Sequence, residues 1–420
     1  MISTIKSTID YYAKHNFLFN RELYRIQEYY DSDSNSIELQ RNNAFQSLIQ
    51  QVKHNTFYKK FYDKHGVNLN QIQNLNDIVR LPILNKDLVK TNINDIKQGR
   101  KILVLKGHTS GTTGSPLVIY RDFNAIIKEN AYVWWYRMQN GLLPKDKKIS
   151  IRGDLNRETM FYHDKCFNTL YISSYALNKR NFKTLYSKIT QFKPKAFIGY
   201  PSSLFSLALL FEDNNISLDV PLSFTSSEKL LPYQETKIGC VFGTTIYDWY
   251  GNAERTIALY KDNSKYYEPI LYSINNYNDK NVLTTSLINT YFPLINYEVN
   301  DDIETQNKYS IQKKSIIIDS IGGRQEDIII LKDGSRIGRL DVVFKGVKNI
   351  KMAQIVQKNN YSIEVNIVKD NSYTDKDEQE LLNNLKQKLG LDTQLNINSI
   401  SKDDLIYSKS GKFSLVISKI

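Results

Sequence analysis

Residues 107–116 read GHTSGTTGSP, three glycines among five hydroxyl-bearing residues, set between the apolar stretches KILVL and LVIY. Glycine lets successive backbone N–H groups turn into one concavity. Serine and threonine hydroxyls add donors, so Ser110, Gly111, Thr112, Thr113 and Gly114 have the chemistry to follow a phosphate oxygen. The same composition also makes a solvated turn, and both readings stand for the segment alone. It is not a Walker A loop, because no Gly-Lys-Ser/Thr follows at the required spacing, and no GxGxxG opens a helix elsewhere.

Five further stretches carry groups capable of chemistry. YGNAE at 250–254 pairs an aromatic ring, Tyr250, with a carboxylate, Glu254, across Gly251; its bland reading is a turn entering a helix. TSSEKL at 225–230 offers Ser226, Ser227 and Glu228, which would equally cap a helix. FPLINYEVND at 292–301 ends on Asp301, with Asp302 beside it; GRQEDIIILKDG at 323–334 contains Arg324; SGKFSLVIS at 410–418 contains Lys412. His163 and Cys166 in HDKC have metal-ligand spacing, but no second pair accompanies them.

The elements around these residues alternate. The first hundred residues have helical periodicity broken by polar turns, a helical lead-in. KILVL and LVIY read as strands flanking the glycine-rich loop, and a helix capped by Asp122 runs to about residue 139. From 149 to 300, short apolar runs (ISI, TLYISS, AFIGY, LSFTSS, TIYDWY) alternate with helices near 181–192 and 202–213. That order predicts an α/β fold with a mainly parallel sheet covered by helices. Past Gly322 and Gly323, a candidate hinge, DIIIL, VVFKG and YSIEVNIV read as strands, a charged helix spans about 375–389, and QLNINSI closes a small α+β unit. The expected domains are residues 1–322, with 1–100 as lead-in, and 323–420.

Composition excludes several classes. With 420 residues, 41% hydrophobic and 24% charged, the chain can bury a large core. Its +12 charge comes from lysines spread end to end, which argues against nucleic acid as a partner. Two cysteines, Cys166 and Cys240, build neither a disulfide framework nor a zinc site. The N-terminus lacks an apolar signal core and the longest apolar runs, such as LFSLALLF at 204–211, are too short to span a bilayer. The expectation is a cytoplasmic protein with no membrane insertion, as a monomer or homodimer.

Taken in order, the motifs resemble the signatures of the adenylate-forming superfamily, which includes acyl-CoA ligases, luciferases and peptide-synthetase adenylation domains. Its phenylacetate-CoA ligase branch and CapK-type relatives, encoded with capsular-polysaccharide genes, are the most similar in GYPSSL at 199–204 and IKMAQIVQKNNYSIEVNIV at 350–368. The resemblance covers roughly residues 80–420 and implies a large N-terminal domain with a small mobile C-terminal lid.

It also implies roles. Residues 110–114 would hold the β- and γ-phosphates of ATP, Tyr250 and Gly251 would lie against adenine with Ser226, Ser227 and Glu228, Glu254 would hold Mg²⁺, and Asp301 would hold the ribose. Arg324 would stand near the nucleotide at the hinge, and Lys412 would stabilise charge developing on the α-phosphate. Tyr200, Pro201, Ser202 and Arg152, at expected strand ends, are the candidates for a carboxylic-acid pocket. The chain departs from the superfamily pattern at Leu117, at Glu298, Val299 and Asn300, and at Ser414. The implied activity is ATP-dependent activation of a carboxylic acid to an acyl-adenylate, with transfer to CoA or to an amine or hydroxyl of a sugar. The rivals are a degenerate member that binds nucleotide or a partner without turnover, and a basic nucleic-acid-binding protein.

Overall fold

The computed structural model describes residues 11–99, 101, 103–108, 117–152, 159–278, 281–299, 301–322, 329–338, 340–344, 346–401, 404–406 and 415–420. Ser110, Gly111, Thr112, Thr113, Gly114, Arg324 and Lys412 therefore lie outside the described residues, as does the side chain of Arg152.

The helices are α1 (Phe17–Asp31), α2 (Ser34–Val52), α3 (Thr56–Lys64), α4 (Lys86–Thr91), α5 (Phe123–Gln139), α6 (Phe182–Phe192), α7 (Pro201–Glu212), α8 (Pro232–Phe242) and α9 (Asp375–Leu389). The strands are β1 (Val104–His108), β2 (Val118–Asp122), β3 (Lys148–Arg152), β4 (Phe161–Asp164), β5 (Thr169–Ser173), β6 (Ala196–Gly199), β7 (Leu222–Ser226), β8 (Thr245–Gly251), β9 (Ala258–Asp262) and β10 (Lys265–Tyr267). They continue with β11 (Ser273–Tyr277), β12 (Val282–Ser286), β13 (Tyr297–Val299), β14 (Asp302–Ser310), β15 (Ser315–Gly322), β16 (Ile329–Ile330), β17 (Arg336–Ile337), β18 (Ile350–Gln357), β19 (Ile363–Lys369), β20 (Leu395–Ser399) and β21 (Val416–Ser418).

Two compact units divide the chain. The first comprises Met1–Thr109, Leu117–Pro144 and Tyr247–Gly323; the second comprises Ser110–Pro116, Lys145–Ile246 and Arg324–Ile420.

In the first unit the abundant Asn and Asp residues begin the helices. The side chains of Asn16, Asp33, Asn55, Asn85 and Asp122 each accept the amide three residues on, satisfying one of the donors a helix start leaves open. Helices α2 and α3 bury Phe45, Leu48, Ile49, Val52, Tyr58 and Tyr62 in one core with Ile270, Phe292, Leu294 and Ile318. Strands β14, β15, β10, β9 and β8 pair antiparallel in that order. Antiparallel β11, β12 and β13 form a second sheet, and β1 pairs antiparallel with β2; two strands flank the stretch as expected, but β1 begins at Val104 rather than at KILVL's Lys101 and takes in Gly107 and His108.

The second unit holds the parallel part of the fold. Strands β7, β6, β3 and β5 are parallel neighbours, with β4 antiparallel at the edge beside β5. Parallel strands need crossover connections, which explains the strand-and-helix alternation between 149 and 226. Phe197, Leu204, Phe211, Ile238 and Phe242 fill the core that α6, α7 and α8 share with these strands. The alternation correctly announces an α/β fold, but the strands between residues 258 and 322 pair antiparallel, and parallel pairing returns only in the C-terminal sheet, between β19 and β20 and between β18 and β21.

At the C-terminal end β20, β19, β18 and β21 form a four-stranded sheet, and α9 packs Leu381, Leu385 and Leu389 into its core. VVFKG departs from the expected strand. Leu340–Phe344 is a short 3₁₀ helix because Leu340, Val343 and Phe344, spaced three and four apart, are the buried positions. Two glutamines on β18 are fully buried. Gln357 donates to Ile330 O at 2.6 Å and accepts from Ile330 N at 3.1 Å and from Ser418 Oγ at 3.0 Å. Gln354 pairs with Ile406 in the same way, donating to O at 2.8 Å and accepting from N at 3.0 Å. Gln354 thus serves backbone groups of a segment outside the strands, and Gln357 those of the short edge strand β16.

Replacing Gln357 by leucine keeps the bulk but strands both polar groups of Ile330. We expect a loss of about 2–4 kcal/mol in urea unfolding, since each buried unsatisfied group costs about 1–3 kcal/mol. A change below about 0.5 kcal/mol would show the amide to be incidental.

Candidate nucleotide and metal site

The first unit gathers three of the sequence-chosen residues at one sheet end. Strands β8 and β9 pair antiparallel with Gly251 opposite Ala258. The connection is a tight reversal. Asn252 Oδ1 accepts Thr256 N at 2.9 Å, Asn252 Nδ2 donates to Thr256 Oγ1 at 2.7 Å, and Arg255 N donates to Asn252 O at 3.2 Å. Arg255 takes φ +56°, a left-handed conformation that a side chain enters only under constraint. Glu254 is therefore carried on a hairpin turn, where the motif alone suggested a turn entering a helix.

Tyr250 closes β8, and its hydroxyl donates to Asp301 Oδ2 at 2.6 Å. Asp301 follows β13, which is held on one side by β12 and on the other by the segment before α4. Leu84 N donates to Asn296 O and Glu298 N to Leu84 O, each at 3.0 Å. Tyr297, on β13, donates its hydroxyl to Glu254 Oε1 at 3.2 Å. Two hydrogen-bonded pairs, Tyr250 with Asp301 and Tyr297 with Glu254, thus lie close enough for the Asp301 charge to act on Glu254, and Tyr297 is a member that its stretch, FPLINYEVND, did not single out.

Burial raises the pKa of Glu254, because the charged carboxylate loses hydration, and the Asp301 charge adds to the rise. Its own backbone N–H, the Lys86 ammonium and the Tyr297 hydroxyl pull the other way. Lys86 opens α4 and was also missed. Its only sequence sign was a lysine just after an Asn cap, a common pattern. Tyr297 is in turn raised, by burial first and then by the Glu254 charge.

A carboxylate whose ionised form is disfavoured by burial suits a divalent cation, whose charge restores that form. Among the described residues no group of three or more His, Cys, Asp or Glu could hold a metal ion. A cation at Glu254 would therefore take its remaining ligands from substrate phosphates and water, the habit of Mg²⁺. His163 instead stands edge-on to Phe192, with ring centroids 5.2 Å apart.

The second unit brings together another set. Strands β6 and β7 are parallel, with Gly199 opposite Thr225, so the residues after each emerge at the same sheet end. There Glu228 Oε2 accepts Ser202 N at 3.1 Å, placing a carboxylate at the start of α7, where the helix dipole favours negative charge. Tyr200 is the N-cap, Pro201 the first helical residue, and Ser202 is buried. Ser226 ends β7, and Ser227, exposed, adopts φ +70°. A Cβ at Gly338 would lie 3.1 Å from Glu228 Oε1 and 3.3 Å from Ser202 Oγ, so this glycine admits the chain against the pair. Arg152 ends β3 opposite Ser173.

The fold that carries these residues is similar to that of solved adenylate-forming ligases. A structure of 2-hydroxyisobutyryl-CoA ligase in a postadenylation state with R3-HIB-AMP superposes with TM-score 0.57 and 16% identity, over 92% of this chain and 90% of that one. An open conformation of the same ligase with 2-HIB-AMP and CoA gives TM-score 0.54 and 16% identity, over 90% and 91%. Residues 329–419 match the CapK C-terminal domain family. Protein CapK of Staphylococcus aureus is 25% identical over 93% of this chain and 90% of its own length. The chain is thus similar in fold to an adenylate-forming ligase and similar in its C-terminal residues to the CapK family, the two resemblances that the ordered motifs implied. No helix among the described residues is long and apolar enough to cross a membrane.

The raised pKa of Glu254 gives a signed expectation. A buried acid that resists ionisation makes folding less favourable once pH exceeds its native pKa, and contributes no penalty below the unfolded carboxylate value of about 4. Glu254→Gln should therefore stabilise the protein at pH 7, with the gain shrinking as pH falls through the native pKa and vanishing near pH 4. Urea unfolding at both pH values decides; a neutral or destabilising substitution at pH 7 contradicts it.

Proposed function

We propose that the protein is an AMP-forming ligase that activates a carboxylic acid with ATP and passes the acyl group to an acceptor. The observation that carries this reading is the two hydrogen-bonded pairs, Tyr250 with Asp301 and Tyr297 with Glu254, in a fold similar to that of adenylate-forming ligases. In the first step a carboxylate oxygen of the substrate attacks the α-phosphorus of ATP, the bond to the β-phosphate oxygen breaks, and pyrophosphate leaves. AMP then becomes the leaving group, which a bare carboxylate lacks.

On this reading the Tyr250 ring lies against adenine, while its hydroxyl holds Asp301 by one oxygen and orients the other for the ribose hydroxyls. Mg²⁺ would neutralise charge on the phosphates. Glu254 would be its protein ligand, held at one oxygen by Tyr297. Residues 110–114 would position the departing pyrophosphate and Lys412 would meet charge on the α-phosphate, an interaction that contributes only as that charge develops. Tyr200, Pro201, Ser202 and Arg152 are proposed for the acid pocket; Ser226, Ser227 and Glu228 for the adenine side, with Gly251 at the strand end and Arg324 near the hinge. No protein nucleophile is required.

Residues 323–420 are proposed as the lid that moves between adenylation and transfer, in line with the distinct states named for 2-hydroxyisobutyryl-CoA ligase. The acceptor is CoA, which that ligase binds, or a sugar amine or hydroxyl in capsular polysaccharide synthesis.

A library of carboxylic acids screened for acid-dependent exchange of labelled pyrophosphate into ATP tests the proposal. We expect exchange with at least one acid, reduced about 100-fold or more by Lys412→Ala and by Glu254→Ala, the scale of losing a preorganised charge-stabilising group. Exchange with no acid would overturn the activity, and full exchange in both variants would overturn the residue assignment.

A further inference from the structure

One half-buried cation in the first unit has no place in that scheme. Arg121, on β2, extends its side chain across β1 at Gly107, the first residue of the glycine-rich stretch. A Cβ at position 107 would lie 2.6 Å from Arg121 Cζ, 2.6 Å from Nη2 and 2.8 Å from Nη1. A side chain at this position would have to push the guanidinium aside, so the missing one at Gly107 is what lets Arg121 keep its place over the strand. From that position Arg121 Nη2 donates to the carbonyl of Ala253, the residue before Glu254, 132 positions away in sequence.

Burial is the chief cause that pushes the Arg121 pKa down to about 10, followed by repulsion from Arg255, while Glu129, Tyr272 and Glu254 oppose the fall. Its Nε is buried without a hydrogen-bond partner among the described residues. A desolvated cation with an unsatisfied donor costs stability. What offsets the cost is local: the Glu129 carboxylate, which accepts the Tyr272 hydroxyl, attracts the Arg121 charge.

We propose that Arg121 is a positioning residue for Glu254: lying over Gly107, it fixes the Ala253–Glu254 peptide and so aims the carboxylate that would bind Mg²⁺. The inference rests on the reading of Glu254 as a metal ligand. It assigns Gly107 a task apart from phosphate wrapping, since its role is to make room on the strand for the arginine.

The experiment is calorimetric titration of ATP into the full-length protein over a range of Mg²⁺ concentrations, with no turnover required. Gly107→Ala and Arg121→Met should each raise the Mg²⁺ concentration for half-maximal ATP binding about tenfold, the scale of losing a group that orients a metal ligand. Arg121→Lys, which keeps a donor within reach of Ala253 O, should recover part of the loss. The double variant Gly107→Ala/Arg121→Met should be no worse than either single one, because both remove the same contact. Glu254→Gln is the reference. If it leaves the Mg²⁺ dependence unchanged, the metal reading fails and the inference falls with it. If Glu254→Gln shifts the midpoint but Gly107→Ala and Arg121→Met do not, or their effects add, only the positioning role is overturned. A purely structural arginine would lower the melting temperature without moving the Mg²⁺ midpoint.

Discussion

The site in the first unit depends on one small reciprocal contact. Asn252 and Thr256 hold each other by side chain and backbone across the reversal between β8 and β9. The turn that it closes holds Arg255 in a left-handed conformation and carries Glu254, whose carboxylate accepts the Tyr297 hydroxyl from β13. A side chain persists at such a φ where its surroundings determine it.

The electrostatics have the same character. Glu254 is drawn toward its neutral form by burial and toward its charged form by Lys86 and Tyr297. Neither side removes the other, so the carboxylate is poised rather than buried as a silent acid. A group in that state responds to an arriving positive charge, the property that the proposed metal-binding role of Glu254 would use. Tyr250 does comparable work for Asp301 by occupying one oxygen and leaving the acid a single direction in which to act.

Much of this architecture could be read from residue order. Asp122 as a cap, the hairpin around the glycine-rich stretch, the alternation from 149 to 226 and helix α9 all follow from patterns local to a few residues. The misreading at Leu340–Phe344 has the same origin: a short apolar run is ambiguous until its partners are known, and here the buried positions fall at helical spacing. Tyr250, Glu254 and Asp301 were found through motifs. Tyr297, Lys86, Arg121 and Gly338 were not, since each matters through a partner far off in sequence: Tyr297 lies 43 residues from Glu254, and Arg121 lies 132 from Ala253. No window along the chain contains both halves of such a contact. A glycine whose purpose is to be crossed by an arginine looks, in sequence, like any other glycine in a loop.

The paired glutamines of β18 carry a different consequence. Gln357 grips Ile330 and Gln354 grips Ile406, on a strand where positions three apart point to opposite faces. Both flanks of the C-terminal sheet are thus fastened by amide bonds in addition to apolar contact. Apolar burial loses strength on cooling, while such directional polar bonds do not share that weakness. The grip of this sheet on its flanking segments should therefore be least sensitive to cold, so that near freezing the glutamine clamps would outlast the leucine core that α9 supplies.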